Sequence, residues 1–255
     1  MRKNWPIFNK SMEYSLDYIK QPRELDDWYI LKKNYEAVKN KPVGKARIPR
    51  VIHQIWIGGD MPKPEVDACT QVREWCELNQ WKYVLWTERD INKITNFINL
   101  DLWNLTPNFG QKSDILRNEI LYEYGGVYLD TDFLIQGAFN ELLDLDFFCG
   151  ICYDDWPSMA NGAMGSIPNG DTVTLMRTYD LPIKWDDGMA IISTTGPYHT
   201  TRKVMETASE NVIALPNSFF YPYPNFDRHR TLGNNPHAYV KPETVALHLW
   251  SSSWM

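Results

Sequence analysis

No stretch of this 255-residue chain approaches the roughly 20 consecutive apolar residues that a membrane-spanning helix needs, and mean hydropathy is −0.44. Met1 to Lys20 also lacks the apolar core of a secretory leader, because charge is scattered through it. Both absences lead to the expectation of a cytoplasmic protein. Cysteine is scarce: Cys69, Cys76, Cys149 and Cys152. Cys149-Gly-Ile-Cys152 has metal or redox spacing, but its flanks read as a buried strand, and a four-thiolate zinc site would need the two pairs to meet. Buried reduced thiols are the simpler reading. There is no internal repeat or low-complexity tract. With 44% hydrophobic and 23% charged residues, disorder, collagen and coiled coil are excluded for the whole chain. Net positive charge is confined to the N-terminal segment. Residues 1–50 carry twelve basic and six acidic side chains, a net +6, against −6 for the whole chain, which leaves −12 on the remainder. So acidic a body argues against a nucleic-acid surface. The basic N-terminal segment suits either a solvated helical face or peripheral contact with anionic lipid.

Aromatic residues are abundant: Trp 11, Tyr 14 and Phe 10, or 14% of the chain. Flat rings pack cores, and they also stack on bases and sugars.

Apolar periodicity over residues 11–40 predicts two helices parted at Pro22, then a linker at 40–44. Residues 50–57 read as a strand closed by Gly58-Gly59, 64–78 as a helix opened by Pro64, and 81–86 as a second strand. Thr87 is expected to cap a helix reaching Ile98. Ser113 is expected to cap a helix over 114–124 that Gly125-Gly126 ends. Residues 127–132 and 147–153 read as strands, 170–179 and 197–209 as helices, 215–240 as loop, and 245–250 as a last strand. Strands alternating with helices predict an α/β fold with a parallel sheet. Residues 1–45 form an N-terminal helical extension and 46–255 the main domain.

The chemistry centres on Asp130-Thr131-Asp132. Two carboxylates at i and i+2, where a strand leaves the carboxyl end of a sheet, can reach one ligand cluster. Such hard oxygens suit magnesium or manganese, whose open positions diphosphate oxygens can fill. Alone, Asp-x-Asp is weak, and a solvated strand end explains it equally. Four blocks around it are more specific. They are Ile48-Pro-Arg-Val-Ile-His-Gln-Ile-Trp-Ile-Gly-Gly59; Ser113-Asp114-Ile-Leu-Arg117 with Tyr122-Glu-Tyr-Gly-Gly-Val-Tyr-Leu-Asp-Thr-Asp132; Thr194-Thr195-Gly196-Pro197; and His248-Leu-Trp250-Ser-Ser-Ser-Trp254. Taken in order over residues 48–254, they resemble the family 32 glycosyltransferases, the sugar-binding group with the DXD motif. They are also similar to the catalytic domain of the large glucosylating toxins.

The resemblance implies a GT-A-like, Rossmann-like nucleotide-sugar-binding fold: a mixed, mostly parallel sheet flanked by helices. It implies Trp56 stacking on the donor's base, where an ordinary strand tryptophan is the bland alternative. Ser113, Asp114 and Arg117 would meet the donor sugar and phosphate; a helical ion pair is the alternative for the last two. Tyr128 would line the nucleotide pocket. Asp130 would hold ribose and metal-bound water, and Asp132 would bind the metal (Mn2+ or Mg2+). His248 would be a further ligand, although a lone strand histidine is more often structural. Ser251 and Trp254 would close over the diphosphate. Asn161 lies in a stretch that resembles one near the reacting centre. Asp154, Asp155, Asp186 and Asp187 suit acceptor hydroxyls or solvated loops, and His53 reads as a satisfied core histidine.

The implied activity is retaining hexosyl transfer from a nucleotide sugar, UDP-hexose favoured, to a glycan or lipid-linked oligosaccharide. Capsule, O-antigen or other bacterial surface polysaccharide synthesis is the expected setting. The expected place is the cytoplasm, including the inner face of the plasma membrane. Two readings compete. An Asp-nucleophile phosphatase also opens with a strand ending Asp-x-Asp, but Leu134 stands where that motif has Thr or Val. A non-catalytic nucleotide-sugar or glycan-binding protein on a decayed transferase fold suits the aromatics, but not the intact Arg117, Asp130 and Asp132.

Overall fold

The computed structural model describes residue 2 and residues 4–12, 22–153, 157–180, 188–225 and 235–251. Helices α1 (Phe8–Ser11) and α2 (Pro22–Lys39) come first. Trp28, Leu31, Tyr35 and Val38 recur at helical spacing along α2, and all four are buried. Trp5 stacks on Tyr35 at 5.1 Å and meets Phe219 edge-on at 5.3 Å. Buried Arg2 pairs with Asp144 at 2.5 Å. The N-terminal helices therefore share one apolar core with the rest of the chain.

The body follows as β1 (Val51–Ile55), α3 (Lys63–Leu78), β2 (Lys82–Trp86), α4 (Leu100–Leu105), α5 (Phe109–Tyr124), β3 (Gly126–Leu129) and β4 (Phe133–Ile135). Next come β5 (Phe147–Tyr153), β6 (Pro157–Ser166), α6 (Asp171–Met176), α7 (Gly188–Thr194), α8 (Pro197–Thr207), β7 (Val212–Leu215) and β8 (Ala246–His248). Six strands form one sheet in the order β2-β1-β3-β6-β5-β7. β1 runs parallel to β2 and β3, and β5 parallel to β7; only β6 opposes its neighbours. This is the expected mixed, mostly parallel α/β sheet. Every residue of β1 and β3 is buried. Side chains alternate faces along a strand, so both faces of the sheet centre are covered. Helix α3 packs on β2 and β4, α5 on β1, β3 and β6, and α8 on β6. Among the described residues no helix is long and apolar enough to cross a membrane.

A two-stranded sheet pairs β4 with β8 and sets Phe133 opposite His248. This pairing brings the chain's last strand beside the segment that follows β3.

Several sequence expectations need correction. The segment after Thr87 is a 3-10 turn of residues Glu88–Lys93 with a Thr87–Asp90 capping box, and no helix continues to Ile98. Helix α5 starts four residues before Ser113. Its cap is Asn108, whose side chain accepts from the Gln111 amide. Ser113 lies inside the helix, which ends at Gly125 with φ 61°, a conformation glycine adopts without strain. Strand β3 stops at Leu129, so Asp130 and Asp132 lie beyond it. The 215–240 stretch contains 3-10 turns at Asn217–Phe219 and Pro236–Tyr239, and Phe219 to Tyr223 are in the buried interior. The expected helix over residues 13–20 lies outside the described residues.

Candidate active site

β1 and β3 run side by side in parallel, so their carboxyl ends open on the same edge of the sheet. The Asp130–Asp132 segment leaves that edge under close backbone control. The Asp130 amide donates to the Gly162 carbonyl at 2.8 Å. Gln54 of β1 donates its amide to the Asp130 carbonyl at 3.0 Å, and the Tyr83 hydroxyl orients that amide by donating to its oxygen at 2.9 Å. The Cys69 thiol meets the Thr131 carbonyl at 3.8 Å, and the Leu249 amide donates to the Asp132 carbonyl at 3.0 Å. Each carbonyl of the motif is thus held by a different element, which suits a site whose carboxylates must not drift.

The carboxylates face two groups of partners. Asp130 Oδ1 accepts from the Tyr128 hydroxyl at 2.7 Å and lies 3.3 Å from Arg117; the Asp130 side chain is 31% exposed. Asp132 Oδ1 lies 3.0 Å from His248 Nε2, and its Oδ2 accepts from the Ser251 amide at 2.8 Å. Burial alone would raise the Asp132 carboxyl; the imidazole and the Ser251 amide outweigh it and hold the carboxyl below its usual range. Phe133 stacks on the His248 ring at 4.5 Å and Trp250 meets it edge-on at 4.1 Å, so the imidazole is locked. Asp130, Asp132 and His248 each offer one ligand atom, and these atoms lie within 4.8 Å of one another.

Behind them stands a buried polar network. Arg117 reaches Asp114 at 3.2 Å, donates to the Asn161 carbonyl at 2.7 Å, and lies over the Tyr128 ring at 4.5 Å. Asn161 donates its amide to Asp114 at 2.7 Å, and Thr195 donates its hydroxyl to the other Asp114 oxygen at 3.0 Å. Burial pushes the Asp114 carboxyl up to about 6 despite Arg117, Thr195 and Asn161. The surrounding carboxylates keep Arg117 charged against the opposite pull of burial.

Asp114, Arg117, Asp130, Asp132, Asn161 and His248 therefore meet in one cluster. The Tyr128 ring is buried, and it supports Asp130 and Arg117 from within the sheet. Ser113 reaches the network through its carbonyl, which accepts from Arg117 at 3.1 Å. Ser251 acts through its backbone amide, and its side chain is at the surface. Trp56 stands half-buried just past β1, its indole donating to the Gly59 carbonyl at 2.9 Å. Trp254 and the acidic pairs 154–155 and 186–187 lie outside the described residues. His53 is a satisfied core residue, bonded to the Gly125 carbonyl and the Trp86 indole, and burial lowers it to about 4. All four cysteines are buried and none forms a disulfide. Gln54, Tyr83 and Thr195 are the partners that sequence reasoning gave no role. The one signal for Gln54 is an amide side chain inside a strand whose other residues, His53 apart, are apolar.

The two carboxylates suit manganese or magnesium, and the imidazole is a common ligand of transition metals such as manganese. His248 Nδ1 is buried with no hydrogen-bond partner among the described residues. Three carboxylates crowd one guanidinium and one imidazole, and a diphosphate would be repelled there without a cation. On chemistry and charge, the residues fit a divalent metal.

Residues 64–149 match the model of the glycosyltransferase sugar-binding region containing a DXD motif, and Asp130-Thr131-Asp132 lies inside that span. Among curated proteins the chain is 36% identical to inositol phosphoceramide mannosyltransferase 1 of Schizosaccharomyces pombe, over 38% of this chain and 32% of that protein. It is 32% identical to the uncharacterized glycosyltransferase L373 of Acanthamoeba polyphaga mimivirus, over 48% of this chain and 51% of that protein. The chain thus spans a third to a half of these relatives. Among solved structures, the PaToxG glycosyltransferase aligns over 72% of this chain and 78% of its own, at 15% identity and a TM-score of 0.45.

Proposed function

We propose that this protein is a metal-dependent retaining glycosyltransferase that moves a hexose from a nucleoside diphosphate sugar to an acceptor hydroxyl. The observation that carries this reading is the convergence of Asp130, Asp132 and His248 at the carboxyl end of β3, backed by Arg117. A divalent ion bound there would neutralise the diphosphate as a Lewis acid. The chain's own residues supply positioning. Asp130 offers its less occupied oxygen to a donor hydroxyl, Arg117 and Asp114 set the cluster's geometry, and Trp56 offers a ring for the base. The bond from the anomeric carbon to the leaving diphosphate breaks, and the acceptor oxygen bonds that carbon on the same face. The acceptor's proton passes to the departing diphosphate.

For the donor we infer a UDP-hexose; the mannosyltransferase name of a relative adds mannose to the sugars to be tested. For the acceptor we infer a lipid-linked glycan, with bacterial surface polysaccharide as the setting and inositol-bearing sphingolipids, named in that same relative, as the comparison class. We place the enzyme in the cytoplasm, with the basic N-terminal segment against anionic membrane. Deleting that segment would strip Trp5, Phe8 and Tyr35 from the core, so the test is vesicle co-sedimentation of Lys32→Glu/Lys33→Glu. Undiminished recovery on anionic vesicles removes the membrane assignment.

The activity is tested by nucleoside diphosphate release from a panel of UDP- and GDP-sugars, with manganese and with EDTA. Manganese-dependent release from one donor is the expected result. Absence of both release and calorimetric binding, for every nucleotide in the panel, would overturn the reading.

A further inference from the structure

Tyr221 is 1% exposed, and its hydroxyl has no hydrogen-bond partner among the described residues. Its ring is well seated. It packs edge-on to Phe133 at 5.7 Å and to His248 at 5.5 Å, and lies 5.7 Å from Trp250. Two strand glycines make room for it. A Cβ at Gly150 would lie 2.6 Å from the Tyr221 ring. A Cβ at Gly162 would lie 3.3 Å from the Tyr221 hydroxyl and 2.6 Å from Asp130 Oδ2. Phenol oxygen and carboxylate oxygen therefore both lie against Gly162, where any side chain would press on the carboxylate. A phenylalanine would fill the ring's seat equally well. A buried hydroxyl without a partner costs about 1–3 kcal/mol, so packing alone does not account for this one.

We propose that Tyr221 is a ligand-binding residue of the transferase site, donating its phenolic hydrogen to a hydroxyl of the sugar nucleotide that in turn donates to Asp130 Oδ2. The inference rests on the transferase reading above. The chemistry of the two flanking groups selects the ligand group. Burial, with Cys152 and Asp130 nearby, pushes the phenol well above its usual range, so it stays protonated and can donate. Asp130 Oδ1 is already taken by Tyr128 and Arg117, which leaves Oδ2 to accept. A group that must accept from one side and donate to the other is a hydroxyl; a phosphate oxygen cannot donate. Donor ribose and donor hexose both carry such hydroxyls.

The test is Tyr221→Phe, with thermal unfolding, calorimetric titration of UDP and UDP-glucose (and GDP and GDP-mannose as a second pair) in manganese, and kcat and KM for donor hydrolysis. The variant is expected to unfold at the same or a higher temperature, because it loses a hydroxyl with no partner. Ligand binding is expected to weaken about tenfold, in proportion to one lost hydrogen bond. A loss already present with the nucleoside diphosphate alone assigns the ribose, and a loss confined to the sugar nucleotide assigns the hexose. Unchanged binding and turnover, with a lower unfolding temperature, would overturn the inference and make the phenol's partner a buried water. A wild-type protein that binds no nucleotide would overturn the transferase reading itself, and this inference with it.

Discussion

Helix α5 carries two buried ion clusters, and they differ in kind. On one side, Asp114 and Arg117 join Asp130. On the opposite side, Glu119 pairs with Arg177 at 2.6 Å. That second cluster is closed and balanced. Glu119 is fully buried, and its other oxygen accepts from the Asn99 side chain at 2.6 Å. Arg177 donates to the Asn96 carbonyl at 2.5 Å and lies over the Tyr122 ring at 3.7 Å. Burial pushes the Glu119 carboxyl up despite Asn99 and Arg177, so desolvation outweighs the pairing, and the cluster serves to fix α5 against α6. The first cluster is unbalanced, with more carboxylates than cations, and Asp130 opens to solvent. A closed, charge-matched cluster fastens the fold. An open cluster with surplus negative charge suits a cation.

Mutations on the two sides should therefore separate activity from stability. Asp132→Asn is expected to lower turnover about a thousandfold, or ~4 kcal/mol of barrier, while shifting unfolding by about 1 kcal/mol or less. Manganese-dependent donor hydrolysis and a denaturant melt measure the two effects. Glu119→Ala should do the reverse. It strands a buried guanidinium and should cost roughly 3–5 kcal/mol of stability, with turnover per folded molecule near wild type. Loss of turnover in a fully folded Glu119→Ala protein would erase the distinction between the clusters.

The contrast also explains what could be read from sequence. Asp114 and Arg117 stand three residues apart in a helix, so their common face is visible from spacing alone. That His248 joins Asp132 depends on β4 pairing with β8 across more than a hundred residues, and only the family resemblance pointed to it. Strand β1 announced itself through its branched apolar residues Val51, Ile52 and Ile55, and α3 through Pro64 and its periodicity. Strand β6 did not. Its sequence, Pro-Ser-Met-Ala-Asn-Gly-Ala-Met-Gly-Ser, is short of large apolar residues because neighbours press against it, as where a Cβ at Gly165 would run into the Phe148 ring. The helix start was misplaced because Asn108 and Ser113 are both good caps, and only the observed bond to the Gln111 amide separates them. Gln54 and Tyr221 act through contacts distant in sequence, which periodicity does not register.

Two smaller effects sharpen the comparison. His53 belongs to the closed interior. Its folded pKa of about 4 lies below the ordinary histidine value of 6.5, so between those values the unfolded chain binds a proton that the native state refuses. Stability should be full above pH 6.5 and fall as pH drops toward 4, by about 3 kcal/mol from this residue; His199, also lowered to about 4, acts in the same direction. Denaturant midpoints at pH 7 and pH 4.5 measure the fall, and His53→Leu should flatten it if it folds. Tyr83→Phe belongs to the open side. It frees the Gln54 amide that holds the Asp130 carbonyl, and about 1 kcal/mol of hydrogen bonding is at stake. Manganese affinity should weaken about fivefold with little change in melting; an unchanged affinity would show that the motif holds its place without the relay.

The open cluster's need for a cation is the centre of the account, and calorimetric titration of UDP into the protein measures it most directly. The titration is made with manganese, with EDTA, and with Asp132→Asn in manganese. Binding in manganese that vanishes in EDTA and in the variant is the result predicted. Equal binding in all three would contradict the account, because the nucleotide would then be held without the carboxylates and the ion they are placed to bind.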